Sequence, residues 1–149
     1  MAKEIPLGTR GEARETVEFR HTLTAQHEKL PPVYSTPDMI RLMEEATFRA
    51  LQSFCEGDEI TVGTSINVQH RAPSGIGASI RAEAVLEAFD GRFYSLRVQA
   101  WDESNAGGVQ EIGSGIIGRA VVSIGKFVGK MGSEYRVASR TTSRKQIHR

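Results

Sequence analysis

A single cysteine, Cys55, stands in the 149 residues. That excludes a disulfide within the chain and any zinc site built on several cysteines. No apolar run approaches the roughly 20 residues that span a bilayer, so no membrane partner is expected. The opening "MAKEIPLGTRGEARE" has no apolar core segment and predicts no secretory leader, so a cytoplasmic protein is the simplest expectation. Repeats, heptads and low-complexity blocks are missing as well. Excess charge of one sign is also lacking, since the net is only +1, but that balance hides an asymmetry. Residues 126–149 carry seven Lys/Arg against the single acid Glu134, which leaves twelve bases and seventeen acids before them. The terminal "ASRTTSRKQIHR" has neither apolar periodicity nor interleaved aromatics. It reads as a solvated basic tail, and no nucleic-acid partner is expected. With 39% hydrophobic and 25% charged residues, the chain has ordinary globular composition and length enough for one core. One domain is expected over 1–128, with 129–149 as a flexible basic extension.

Hydrophobic periodicity supplies the elements. Residues 15–26, "ETVEFRHTLTAQ", alternate and predict a strand. Pro31-Pro32 then forbids regular structure. Residues 35–57, "STPDMIRLMEEATFRALQSFCEG", read as an amphipathic helix that runs to about Phe54, with Gly57 as its C-terminal cap. Thr36 reads as the N-cap and Pro37 as the first helical residue. Everything after the helix alternates: "DEITVGTSINVQHRA" from 58 to 72, then two segments flanking the Asp90-Gly91 hairpin signal, then "VQEIGSGIIGRAVVSIG". A lone helix must bury its apolar stripe, and the concave face of that sheet is the one large surface available. The expected fold is α+β, a hotdog: one long central helix wrapped by an antiparallel sheet of about five strands.

On a wheel of about 100° per residue, Met39, Ile40, Leu42, Met43, Ala46, Phe48, Ala50, Leu51 and Phe54 fill one wide arc. Arg41, Glu45, Arg49 and Gln52 fill the opposite sector. Glu44 falls inside the apolar arc, between Leu51 and Cys55. A carboxylate there must be paired, hydrogen-bonded, protonated or reaching water at the arc's edge. Desolvation would raise its pKa toward values useful for acid–base or nucleophilic chemistry. In "EITVGTSINVQH" the period of two puts Ile60, Val62, Thr64, Ile66, Val68 and His70 on one face, turned to the helix. A histidine on an apolar face is commonly a satisfied core residue. Here, though, a helix and a strand each aim one ionisable group inward, and a Glu44–His70 pair would resolve the burial of both. Thr36 adds a hydroxyl at a helix N-terminus, where free N–H groups and the dipole favour a developing oxyanion. Thr36 and Glu44 are eight residues apart, about 12 Å along a helix. They meet only if the chain folds back before Pro37 or a second subunit supplies one of them, so a homodimer with its site near the interface is expected, or a dimer of dimers.

"VYSTPDMIRLMEEA" (33–46), "TVGTSINVQHRAPSGIG" (61–77) and "DGR" (90–92) resemble the fluoroacetyl-CoA thioesterase-like family of hotdog proteins. The resemblance implies hydrolysis of a small acyl-CoA thioester to free acid and CoA, with coenzyme A as part of the substrate and no metal or other cofactor. It implies a catalytic set of Thr36, Glu44 and His70. Glu44 would attack the carbonyl or activate a water, His70 would move protons, and Thr36 would orient Glu44 or polarise the carbonyl. Gly63 would help hold the water or thioester, and Arg119 would contact the substrate. One departure is visible: "GIIGR" puts Ile117 where the family often has a histidine two positions before its arginine.

"GSGIIG" (113–118) matches a dinucleotide-binding pattern, but another alternating segment follows it where a helix would be required. Cys55 reads as a small apolar filler, His21 as structural or exposed, and His27 as a residue of the linker that could line a pocket mouth. Two alternatives to the thioesterase stand beside it. One is a non-catalytic hotdog module binding an acyl thioester or small apolar ligand; the other is a hydratase or dehydratase acting on acyl chains. Chain-length preference depends on pocket depth and on the "HEKLPPVY" loop, which the sequence does not rank.

Overall fold

The computed structural model describes residues 3–131 except Asn105, so the expected tail behaviour over 132–149 lies outside the described residues. The elements in order are β1 (Arg10–Thr16), a short 3-10 turn (Phe19–His21), α1 (Leu23–Gln26), α2 (Thr36–Gln52), β2 (Glu59–His70), β3 (Ser79–Phe89), β4 (Phe93–Asp102), β5 (Gln110–Ser123) and α3 (Ile124–Met131). The five strands form one antiparallel sheet in the order β1-β3-β4-β5-β2. The sheet curls around α2, and the hotdog outline expected from the element order is the fold observed.

Alternation explains the inner wall. Ile80, Ala82, Ala84 and Leu86 of β3 and Tyr94, Leu96, Val98 and Ala100 of β4 are all buried, facing Met39, Leu42, Met43, Ala46, Ala50 and Leu51 of α2. Truncating a side chain such as Leu42, fully buried here, to alanine costs about 2–5 kcal/mol by lost transfer energy and the cavity left behind. The β3–β4 turn uses Asp90 Oδ1 to accept from the N–H groups of Arg92 and Phe93, with Gly91 at φ +99. The helix crosses β1 at Gly11, where a Cβ would stand 2.2 Å from the Ala46 carbonyl oxygen. Only glycine admits so close an approach.

The structure departs from the sequence-based elements in four places. The strand expected over 15–26 is β1 at Arg10–Thr16, because the edge of β3 is filled by that register, Arg10 opposite Val85 through Thr16 opposite Ser79. Residues after it turn instead: His21 Nδ1 accepts from the Glu18 N–H and Thr22 Oγ1 donates to the Phe19 carbonyl. The helix N-cap is Ser35 rather than Thr36, since Ser35 Oγ accepts from the Asp38 N–H, which places Thr36 first and Pro37 second in the helix. Phe48 is exposed and Thr47 is buried in its stead, a shift of the apolar arc by one position. Finally, the chain ends its last strand at Ser123 and continues as α3, anchored by Asp58, which accepts from Ser123 Oγ and the Gly125 N–H.

Candidate active site

The site is built on α2 and the two strands beside it, β5 and β2. Ser35 holds the start of the helix, with its Oγ also donating to Asp38 Oδ2 at 2.5 Å. With the cap supplied by its neighbour, the Thr36 hydroxyl is left free to reach β2, and Thr36 Oγ1 lies 2.9 Å from His70 Nδ1. His70 comes from the end of β2, opposite Gly113 of β5. A Cβ at Gly113 would overlap Met39 Sδ, so this position faces the helix and brings His70 to the same side. Burial pushes the His70 imidazole below its ordinary value, with a smaller opposing effect from the Ala72 backbone. Its Nε2 is buried and has no hydrogen-bond partner among the described residues. Leu23, Val33, Tyr34 and Arg71 close a small cavity of about 260 Å³ over the pair.

Two turns further along α2 sits Glu44. It does not pair with His70, as the sequence had allowed, nor does Thr36 touch it. Its partner is Arg119 of β5, whose Nη1 donates to Glu44 Oε2 at 3.0 Å. A straight α2 keeps Thr36 and Glu44 apart, and no fold-back before Pro37 exists, because Thr36 is itself inside the helix. The Arg119 side chain is only 6% exposed and each of its nitrogens is satisfied. Nε donates to Thr61 Oγ1 at 2.9 Å, Nη2 to the Thr61 carbonyl at 2.8 Å, and Nη1 also to Thr47 Oγ1 at 3.2 Å. Burial lowers the guanidinium's affinity for its proton, and Glu44 offsets part of that. The carboxylate is one-third exposed and opens, with Arg41, Glu45 and Phe48, onto a cavity of about 500 Å³. The inward glutamate is therefore a wet-edged anion held by a buried cation.

Gly63 completes this half of the site by what it lacks. It lies opposite Arg119 in the β2–β5 register, and a Cβ there would stand 2.7 Å from Glu44 Oε2 and 3.2 Å from Oε1. The glycine gives the carboxylate its place against the strand. The register slips between Gly63 and Ser65, one extra residue against β5. This bulge corrects the single inward face expected for β2: Thr61 and Gly63 face α2 before it, Ile66, Val68 and His70 after it.

Among the site residues, sequence reasoning missed Thr47 and Thr61, the hydroxyls that seat Arg119. Thr47 is three residues after Glu44 and so on the same helix face, a signal the pattern carried. Thr61 had none, because the bulge that sets its face is invisible to a strict alternation. His21, expected as structural or exposed, is buried with its ring edge-on to Tyr34. Cys55 is half-buried, its thiol pushed up by burial, and Sγ lies near the Leu51 carbonyl. A roomier cavity of about 890 Å³, lined by Ile5, Phe89 and Tyr94 among others, has none of the candidate residues in its lining. Among the described residues no group of three or more His, Cys, Asp or Glu could hold a metal ion, and no helix is long and apolar enough to cross a membrane.

A curled antiparallel sheet around one long helix, carrying a Thr–His pair and a glutamate on that helix, defines a hotdog-fold member of the thioesterase superfamily. The chain belongs to the fluoroacetyl-CoA-specific thioesterase family, whose model matches residues 17–124. It is 37% identical over 117 residues to the fluoroacetyl-CoA thioesterase of Streptantibioticus cattleyicolor, covering 78% of this chain and 81% of that protein. A solved structure of the fluoroacetyl-CoA thioesterase FlK superposes with a TM-score of 0.77 at 32% identity, covering 87% of this chain and 96% of that one. A thioesterase superfamily member from Thermus thermophilus superposes at 0.79 with 25% identity, over 95% and 98% of the two chains.

Proposed function

We propose that the protein hydrolyses a small acyl-CoA thioester to the free acid and CoA, and does so as a homodimer. The observation that carries this reading is a hydrogen-bonded Thr36–His70 pair at the start of α2 and, two turns along the same helix, a Glu44 carboxylate seated on Arg119. Water adds across the C–S bond: its oxygen ends on the acyl carbon, and its protons are shared between the acid and the departing thiol. Glu44 either draws a proton from the attacking water or attacks the carbonyl itself; in the second case the thiolate leaves, an anhydride with Glu44 forms, and water then opens it to the acid and the free carboxylate. Arg119 holds that carboxylate in place through its Nη1. His70, neutral near pH 7 because burial disfavours its cation, takes up the proton released from water and then delivers it to the departing thiolate, while Thr36 fixes its ring and offers a hydroxyl at a helix N-terminus. Gly63 leaves room beside Glu44 for the reacting atoms.

The same geometry supports the dimer. Thr36 and Glu44 are two turns apart on one helix, so a second copy bringing its own α2 alongside completes the set. β2 is an outer strand of the sheet, twelve residues long, and Ile66 on it and Phe48 on α2 are exposed. A long apolar edge of this kind is normally covered. His70 Nε2, without a hydrogen-bond partner among the described residues, lies on the same strand.

The test is thiol release from a panel of short, medium and aryl acyl-CoAs, with Glu44→Gln alongside and the mass in solution measured by light scattering. Turnover of one class, lost in the variant without unfolding, supports the reading. Absence of thiol release from the wild type across the panel overturns it.

A further inference from the structure

Glu15 is a second carboxylate that the proposed chemistry leaves unused, and its side chain is only 15% exposed. It stands near the end of β1, and three donors from other elements converge on it. The Tyr34 hydroxyl donates to Oε2 at 2.5 Å, Arg41 Nη2 donates to Oε1 at 2.5 Å, and His21 Nε2 lies 3.7 Å from that same Oε1. An O–H···O⁻ contact of this length is charge-assisted and roughly twice as strong as a neutral one. Tyr34 is 1% exposed, and burial together with Glu15 pushes its phenol far above the ordinary value, so it remains a donor.

Tyr34 is also two residues from Thr36, and the chain between them is tied on both sides. The Tyr34 N–H donates to the Ser74 carbonyl, just beyond His70's strand, and the Ser35 N–H donates to the His21 carbonyl. The Tyr34 hydroxyl additionally lies 3.3 Å from the Asp38 carbonyl oxygen, within the first turn of α2. Tyr34 and Thr36 line the same cavity as His70. The Thr36 side chain is itself exposed and bonds His70 alone among the described residues, so its placement depends on how rigidly the backbone before it is held.

We propose that Tyr34, anchored on Glu15, is a positioning residue that fixes the start of α2 so that Thr36 meets His70. The proposal rests on the thioesterase reading, and acts through Thr36 rather than on the substrate. Tyr34→Phe keeps the ring and removes only the anchoring hydroxyl. Because small displacements at a reacting centre cost up to about a hundredfold in rate, kcat is expected to fall by roughly one to two orders of magnitude with KM nearly unchanged. In a Thr36→Ala background the same change should have little further effect, since the residue it positions is gone. Glu15→Gln, which keeps an oxygen for the phenol but loses the charge, should lose less than Tyr34→Phe.

A readout independent of turnover is the His70 imidazole titration followed by NMR: in Tyr34→Phe its midpoint should move toward that of Thr36→Ala. An unchanged kcat with a lowered melting temperature would overturn the proposal and leave Tyr34 a purely structural residue. An equal fold-loss in both backgrounds would also overturn it, because the effect would then not pass through Thr36. If the wild type releases no thiol, the functional reading fails by itself. The His70 titration still decides on Tyr34: a midpoint left at the wild-type value in Tyr34→Phe overturns the proposal.

Discussion

The two halves of the site sit on one helix and are held in opposite ways. At its N-terminus, Thr36 and His70 form a neutral pair with one hydrogen bond between them and an imidazole nitrogen that has no partner among the described residues. Two turns on, Glu44 and Arg119 form a charged pair in which the guanidinium is bound on all sides by Thr47, Thr61 and the carboxylate. A buried cation must be fully satisfied to persist, whereas a neutral imidazole tolerates an open nitrogen at far lower cost. The difference fits the proposed division of tasks, in which the fixed half holds charge in place and the open half exchanges protons.

If that division is right, its largest expression is Glu44→Gln. The amide still accepts from Arg119, so the fold should survive, yet kcat should drop by about 10²–10⁴ as the base or nucleophile is lost. Thiol release with circular dichroism as a fold control reads this, and retention of more than a tenth of the activity would remove Glu44 from the chemistry. Gly63→Ala sharpens the same half. Its Cβ would displace the flexible carboxylate rather than any backbone, so stability should change by less than about 0.5 kcal/mol while kcat falls by about tenfold or more. A stable variant with full activity would show that the carboxylate has no fixed place against the strand.

The pH dependence addresses the open half. The active His70 is neutral, so kcat/KM should rise with pH through the His70 titration, at a midpoint below its ordinary 6.5. A rise centred above 6.5 would mean that a nearby anion, not burial, governs the ring. The smallest effect is on stability. Because the folded pKa is lowered, the unfolded chain takes up the proton first. The contribution is therefore intact above the unfolded value near 6.5 and is lost as pH falls through the folded one. Melting temperatures compared between pH 7.5 and 5.5 should fall more for the wild type than for His70→Gln, and equal falls would contradict the burial of the imidazole.

The helix, its apolar arc and the inward Glu44 were legible because a period of 3.6 is a local property of residues 36–52. Every strand after the helix was legible for the same reason, with period two. The N-cap was misplaced by one residue because Ser35 and Thr36 are equally able caps, and only the Asp38 N–H, which bonds Ser35, distinguishes them. The partner of Glu44 was not legible at all. Arg119 is 75 residues away, and nothing in "GIIGR" says which helix residue it will meet.

Local pattern alone thus determined α2, the four strands after it and the inward turn of Glu44 and His70, whereas β1, α1 and α3 escaped it. It determined the fold class too, since one helix and five strands admit few ways to bury a single stripe. The tertiary structure decided who pairs with whom. The β2 bulge after Gly63 shifts the inward face by one residue, seating Thr61 under Arg119 before it and carrying His70 to Thr36 after it. A one-residue slip in a strand reverses every side chain beyond it, and that slip is set by contacts across the sheet rather than along the chain.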